Sequence, residues 1–153
     1  MAARRGLCGP VVLLALGACG TQGGGTLTLD RAWDAFDASE PARACQLFEE
    51  VLAEMSPLDS RRRSLQLEHL RARCYLDPDA VEAALEGLPW LAAPHYRRLC
   101  SELLWAGAHD SAFRVLIQGR CAHPNDPNMD VFFDRFMEQW DPSSDLPGIL
   151  FDF

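Results

Sequence analysis

The clearest helical pattern in the chain lies in Tyr96–Pro124, YRRLCSELLWAGAHDSAFRVLIQGRCAHP. Its apolar residues recur every three or four positions on both sides of Gly107, which is the spacing of one helical face. Gly107 can end the first helix because glycine adopts the left-handed conformation that follows many helices. Asp110 can cap the second helix, and Pro124 ends it. The sequence therefore predicts two helices, over 94–106 and about 110–122, that fold back on each other.

Large and small residues are placed in this hairpin so that its two helices can pack closely. Small residues at Ala112 and Gly119 let the helices approach, and large residues fill the space between them. The order of large, small and turn residues resembles the tetratricopeptide repeat, with Cys100 where that family usually has glycine or alanine. The resemblance implies an α-solenoid, a stack of antiparallel helical hairpins. The matching positions are Tyr96, Leu99, Cys100, Leu103, Gly107, Ala112, Leu116, Gly119 and Pro124.

The preceding and following segments also predict helices, and strand signals are nearly absent. A helix starting at Pro41 has an apolar stripe of 3.6-residue period, and Ser56-Pro57-Leu58-Asp59 and Asp77-Pro78-Asp79 have the composition of helix starts. Residues 29–55 can be matched to a first repeat, but 58–88 match poorly, so a generic stack of helical hairpins is the alternative. We predict an all-α domain over 28–140, with about three helical pairs and a C-terminal helix, and a tail over 141–153.

The N-terminal segment has the pattern of an export signal. Arg4 and Arg5 precede a short apolar run over 7–16, whereas a transmembrane helix needs roughly 20 residues. The run ends in Leu16-Gly17-Ala18-Cys19, which resembles the lipobox of bacterial lipoproteins. That resemblance implies a signal peptide over 1–18 and acylation of Cys19. The alternative is an ordinary secretory signal with an incidental cysteine.

The residues after Cys19 fit a lipid anchor. They are rich in glycine, and we predict a flexible tether over 19–27. By resemblance to lipoprotein sorting in Gram-negative bacteria, Gly20 is not the aspartate that retains a lipoprotein at the inner membrane. The expected location is therefore the periplasmic side of the outer membrane.

Four cysteines remain for the folded domain, namely Cys45, Cys74, Cys100 and Cys121. An even number in an exported chain indicates disulfides, and the expected helix layout favours Cys45–Cys74 and Cys100–Cys121. A metal site formed with His95, His109 and His123, or free buried thiols, are the alternatives. No pair of cysteines or histidines has the short spacing typical of a zinc site, so we predict no metal.

The composition excludes several functions. The chain has 14 arginines, no lysine and a formal net charge of −8, which argues against a nucleic-acid binder. The absence of lysine excludes Schiff-base chemistry and a phosphate-loop lysine. The sequence contains no nucleophile elbow and no zinc-protease motif. We therefore predict no catalytic residues, no cofactor and no enzymatic activity.

Two regions are candidates for binding a partner. In tetratricopeptide repeats the first helices line a concave binding face, and by this resemblance the candidates are Arg97, Ser101, Leu104 and Trp105. An arginine beside an aromatic residue suits a peptide carboxylate or backbone, although Trp105 could instead belong to the core. The aromatic residues of 131–140 can cover the end of the stack, receive the tail at 146–151 or meet a partner.

Together these features predict a lipid-anchored periplasmic protein that acts as an adaptor for an envelope assembly or secretion machine. Its partners are expected to be an envelope protein or peptide and, through the lipid, the membrane. The alternatives are an immunity or inhibitor lipoprotein whose acidic surface blocks a basic toxin or enzyme and, less favoured, an envelope enzyme.

Overall fold

The computed structural model describes the backbone of residues 22–139 and the side chains of residues 28–139. This part of the chain contains helices and no strand, which confirms the predicted all-α class. The helices are α1 (Gln22–Asp37), α2 (Pro41–Glu54), α3 (Arg62–Leu76), α4 (Asp79–Leu85), α5 (Ala93–Trp105), α6 (His109–Ala122) and α7 (Pro127–Gln139).

Short turns fold consecutive helices onto each other. Gly107 has a φ of +76°, and the amides of Gly107 and Ala108 donate to carbonyl oxygens of the last turn of α5. This is the helix ending that the sequence predicts. Ser39, just after α1, has a φ of +59°. The next residue, Glu40, donates its amide hydrogen to the carbonyl oxygen of Ala35. A serine thus occupies a conformation that usually favours glycine.

The hairpins stack in two layers. α1 packs on α2, α2 on α3, and α5 on α6. α5 lies between α3 and α7 in one layer, while α4 packs on α6 in the other. The predicted stack of helical hairpins is therefore confirmed, and α5 is the central helix of the layer that it shares with α3 and α7.

The buried apolar side chains form two core clusters. One joins α1, α2 and α3 and includes Phe48, which is fully buried. The other extends from α3 to α7 and includes Leu99, Leu116 and Phe136. Phe136 stacks on Phe113 with ring centroids 5.9 Å apart, so α7 covers the end of the second cluster.

α5 and α6 approach each other closely at Gly119. A Cβ placed on this glycine would lie 2.6 Å from the Cβ of Tyr96 and 3.0 Å from the Cε of Met129. Only a residue without a side chain allows this approach. The predicted role of a small residue at this position is confirmed.

α3 begins later than the sequence predicts. The Ser56 hydroxyl accepts a hydrogen bond from the amide of Leu58 at 3.3 Å, and Asp59 accepts one from the amide of Arg61 at 2.9 Å. These short-range bonds hold a turn, and the helix starts only at Arg62. Arg62 also donates to the carbonyl oxygens of Leu52 and Met55 at the end of α2.

The N-terminal boundary also differs from the prediction. α1 begins at Gln22, so the backbone of residues 22–27, predicted as tether, belongs to this helix. Extending an existing helix adds one hydrogen bond for each residue fixed, which offsets part of the cost of glycine. The predicted signal peptide, Cys19 and the tail over 141–153 lie outside the described residues.

None of the helices over 22–139 has the length and apolar character needed to cross a membrane.

Candidate functional site

The four predicted binding residues lie on α5 but do not form one site. Arg97 and Ser101 line a groove between α5 and α7, and Trp105 lines a separate pocket toward α1 and α3. Leu104 is only 4% exposed and belongs to the core cluster between α3 and α7. Its prediction as a binding residue is wrong, because its side chain is packed in that core. Trp105 is 58% exposed, so the alternative that it is a core residue is also wrong.

The groove between α5 and α7, here the arginine groove, has a volume of about 610 Å³. α5 supplies two arginines and a serine, and α7 supplies an amide, a third arginine and an apolar floor. Val131 on α7 is 49% exposed although it is a large apolar residue. The groove therefore combines positive charge with uncovered apolar surface. Its lining residues are Arg97, Arg98, Ser101, Asn128, Val131, Phe132 and Arg135.

Arg97 is the best-placed donor for a ligand in this groove. Its Nη1 atom is buried and makes no hydrogen bond within the described chain. The nearest acid is Asp126, whose Oδ1 lies 3.5 Å away. That oxygen already accepts hydrogen bonds from the amides of Asn128 and Met129 at the start of α7. Asp126 thus offsets the charge of Arg97 but leaves its Nη1 without a hydrogen-bond acceptor.

Arg98 and Ser101 complete the α5 side of the groove. Arg98 is half exposed, and its Nη1 lies 4.0 Å from a carboxylate oxygen of Glu68. Ser101 donates its hydroxyl hydrogen to the carbonyl oxygen of Arg97 at 3.1 Å. This bond keeps Ser101 against its own helix, where its oxygen can still accept a hydrogen bond from a ligand.

The second cavity, here the aromatic pocket, has a volume of about 410 Å³ and lies between α1, α3 and α5. Tyr75 and Trp105 are 37% and 58% exposed at this pocket, which is high for large aromatic side chains. Exposed aromatic surface of this kind is typical of protein-binding sites. The pocket is lined by Phe36, Ser39, Pro41, Arg71, Tyr75, Glu102 and Trp105.

A buried network of charged groups lies beneath the aromatic pocket. Arg71 donates its Nε hydrogen to Glu102 at 2.6 Å and a second hydrogen bond to Glu68. The Tyr75 hydroxyl donates to the other carboxylate oxygen of Glu102 at 2.6 Å. Burial, together with this bond, raises the pKa of Tyr75 well above its ordinary value, so the hydroxyl stays protonated. The Arg71 guanidinium also lies over the ring of Phe36, 5.0 Å from its centre.

This network fixes α3, α5 and the end of α1 relative to one another. Both oxygens of Glu102 are occupied, and Glu68 and Glu102 share one buried arginine. Such saturated networks position the surrounding side chains. The network therefore supports the aromatic pocket as a preformed surface.

The predicted disulfides are not present, because all four cysteines of the described chain are free. Cys100 is fully buried whereas Cys121 is exposed. Cys45 and Cys74 belong to different core clusters, and Cys74 points its thiol toward the carbonyl oxygen of Leu99 at 3.9 Å. The sulfur atoms of Cys100 and Cys121 therefore lie in different surroundings. Burial raises the pKa of Cys45 to about 11 and raises the pKa values of Cys74 and Cys100 further.

The histidines near the candidate site have structural roles. His95 accepts a hydrogen bond from the amide of Ala92 at the start of α5, and His123 lies 3.0 Å from the carbonyl oxygen of Leu91. Within residues 28–139 no three histidine, cysteine or acidic side chains are arranged to hold a metal ion. The site's chemistry is that of a binding surface with directed donors and apolar contacts.

Several lining residues escaped the sequence analysis. Arg98, Asn128 and Arg135 join the groove only because α7 packs beside α5, and their positions are separated by about 30 residues. Arg71 joins Glu102 across 31 residues. The spacing of Glu68 and Arg71, three residues apart on one helix, is the one signal that could have indicated part of this network.

No protein-family model, no curated protein and no solved structure matches this chain at a significant level.

Proposed function

We propose that this chain is a lipid-anchored adaptor on the periplasmic side of a bacterial outer membrane. It binds a segment of an envelope protein along the face of α5, as part of an assembly or secretion machine. The proposal gives the chain a binding role, without a cofactor. Two resemblances in the sequence support this proposal. Leu16–Cys19 resembles a lipobox, and Tyr96–Pro124 resembles a tetratricopeptide repeat.

The observation that carries the binding proposal is the buried Nη1 atom of Arg97, which has no hydrogen-bond partner within the described chain. A buried donor without an acceptor costs free energy, and a ligand that supplies the acceptor regains it. A carboxylate is the best acceptor because the hydrogen bond is then assisted by charge.

The neighbouring surfaces indicate what else the partner segment contains. Val131 offers uncovered apolar surface in the arginine groove, and Trp105 and Tyr75 offer aromatic surface in the aromatic pocket. α5 lines both cavities. We therefore expect a segment that has an acidic residue for Arg97 and an apolar residue for Trp105.

The lipid anchor can be tested by replacing its attachment residue. We expect Cys19→Ala to move the protein from the membrane fraction to the soluble periplasmic fraction, because a single domain without acyl chains has no stable anchor. Fractionation of cells followed by immunoblotting measures the change. Cys121→Ala is the matched control and should remain in the membrane fraction. Retention of the Cys19→Ala protein in membranes would refute the anchor.

The binding surface can be tested by capture from detergent-solubilised envelope. The bait is the full chain with Cys19→Ala, and the test variant adds Arg97→Ala and Trp105→Ala. We expect one stoichiometric partner, at least tenfold depleted with the test variant, because about 1.4 kcal/mol of lost binding free energy corresponds to a factor of ten.

The matched control for this capture is Arg43→Ala with Leu58→Ala. It also removes an arginine and a large apolar residue, but Arg43 is 65% exposed and Leu58 is 95% exposed, and neither lines the two cavities. The control should retain the partner, and both double variants should melt within a few degrees of the parent chain. Equal recovery with both variants would refute binding at α5.

A further inference from the structure

The arginine groove has an occupant available within the same chain. We propose that residues 140–153 lie in the arginine groove as an intramolecular ligand, which a partner segment must displace. The displacement rests on the proposed function, whereas occupancy of the groove by this segment does not and can be tested without any partner.

Residues 140–153 and the arginine groove are complementary in charge. Residues 140–153 contain three aspartates, Asp141, Asp145 and Asp152, and no arginine, lysine or histidine. The groove contains three arginines, two from α5 and one from α7. An aspartate at Arg97 would give its buried Nη1 atom the acceptor that the described chain does not supply.

The segment and the groove also both carry apolar surface. The segment carries Leu146, Ile149, Leu150 and Phe151 between its second and third aspartates. The groove has Phe132 in its lining and leaves half of Val131 uncovered. The segment thus carries an apolar block flanked by aspartates, and the groove carries arginines together with apolar surface.

The segment follows α7 directly, and its length can be compared with that of the groove. α7 ends at Gln139, and its groove residues extend back from Arg135 to Asn128. At 1.5 Å per residue, Asn128 lies about 17 Å from the end of the helix. Fourteen residues can extend to roughly 46 Å at 3.3 Å each. The segment is therefore long enough to reverse direction after α7 and follow the whole groove.

Because residues 140–153 are covalently attached to α7, weak contacts are sufficient to hold them in the groove. A segment tethered a few residues from its site has an effective concentration on the order of millimolar. Pro142 also disfavours continuation of α7 as a helix, because proline lacks the amide hydrogen and clashes with the preceding turn. The groove is thus within reach of this acidic and partly apolar segment.

Paramagnetic broadening of amide signals tests this occupancy in the full chain. Cys8→Ser, Cys19→Ala and Cys121→Ser remove the reactive thiols, and Ser144→Cys carries a nitroxide label. The remaining cysteines, Cys45, Cys74 and Cys100, are buried. We expect the amide signals of Ser101 and Asn128 to lose at least half their intensity relative to the reduced label, while α2 signals are unchanged.

The matched control separates docking from mere attachment. Asp141→Asn, Asp145→Asn and Asp152→Asn leave the tether, the label and the folded helices unchanged but remove the charges that face the arginines. We expect the Ser101 and Asn128 signals to recover at least twofold in this variant. Salt near 1 M, where the screening length is about 3 Å, should have the same effect.

Three results would overturn the proposal. One is equal broadening with aspartates and asparagines, which would show proximity without recognition. Another is equal broadening of isotope-labelled chains without nitroxide when they are mixed with spin-labelled chains, which would assign the groove to a second copy. If broadening is absent but envelope capture still depends on Arg97, the adaptor proposal stands and the intramolecular ligand does not.

Discussion

Replacing Arg71 with alanine is expected to lower the free energy of unfolding by about 3–5 kcal/mol. The guanidinium is 14% exposed and is shared by Glu68 and Glu102, whose side chains are 9% and 6% exposed. Removing Arg71 leaves Glu102 without its arginine partner and leaves Glu68 with only the more distant Arg98, whose Nη1 lies 4.0 Å away. It also removes the contact of Arg71 with the ring of Phe36. Chemical denaturation monitored by circular dichroism measures the effect.

Arg43→Ala is the matched control for this prediction. Arg43 pairs with Glu40 three residues away on an exposed helix surface, and such pairs contribute about 0.2–1 kcal/mol at most. The control should therefore lose far less stability than Arg71→Ala. If both variants lost less than about 1 kcal/mol, the network beneath the aromatic pocket would not hold the layers of α3 and α5 together.

Gly119→Ala is expected to lower the free energy of unfolding by about 1–3 kcal/mol, although alanine is the better helix former. The added Cβ would lie 2.6 Å from the Cβ of Tyr96 and 2.7 Å from its Cγ. The Cβ of Tyr96 is attached directly to the backbone, so it can move away only if α5 moves. The gap between α5 and α6 would therefore have to widen at this position.

Gly87→Ala is the control for this substitution. The nearest atom to a Cβ at Gly87 is the carbonyl oxygen of Ala84 at 3.7 Å, which is an ordinary contact distance. Its stability should change by no more than a few tenths of a kcal/mol or should increase, because alanine reduces the entropy of the unfolded chain. Unchanged stability of Gly119→Ala would contradict the close packing of the best-matched hairpin.

Local signals in the sequence were sufficient for the hairpin of α5 and α6. Gly107, Ala112, Leu116 and Gly119 each have the burial or backbone conformation that their spacing predicts. These properties depend on neighbours within one helical hairpin. Periodicity and turn residues report such short-range relations directly.

Contacts between helices that are far apart in the sequence could not be predicted from local patterns. Packing between helices that are distant in the sequence determines that Leu104 is buried while its neighbour Trp105 is exposed. The different surroundings of Cys100 and Cys121 depend on the rotation of two helices about their axes. The buried network formed by Arg71, Glu102 and Tyr75 requires α3 and α5 to be packed together before its residues can meet.

A partner bound to the face of α5 between the arginine groove and the aromatic pocket would cover the aromatic side chains exposed there. Hydroxyl-radical footprinting of the captured complex detects this protection, because Trp105 and Tyr75 are exposed at the aromatic pocket and Cys121 is exposed on α6. We predict that Trp105 and Tyr75 are oxidised at least threefold more slowly in the complex than in the unbound protein, while Cys121 is oxidised at the same rate in both. Protection of Cys121 with unchanged oxidation of Trp105 would place the partner on the other layer and contradict the proposal.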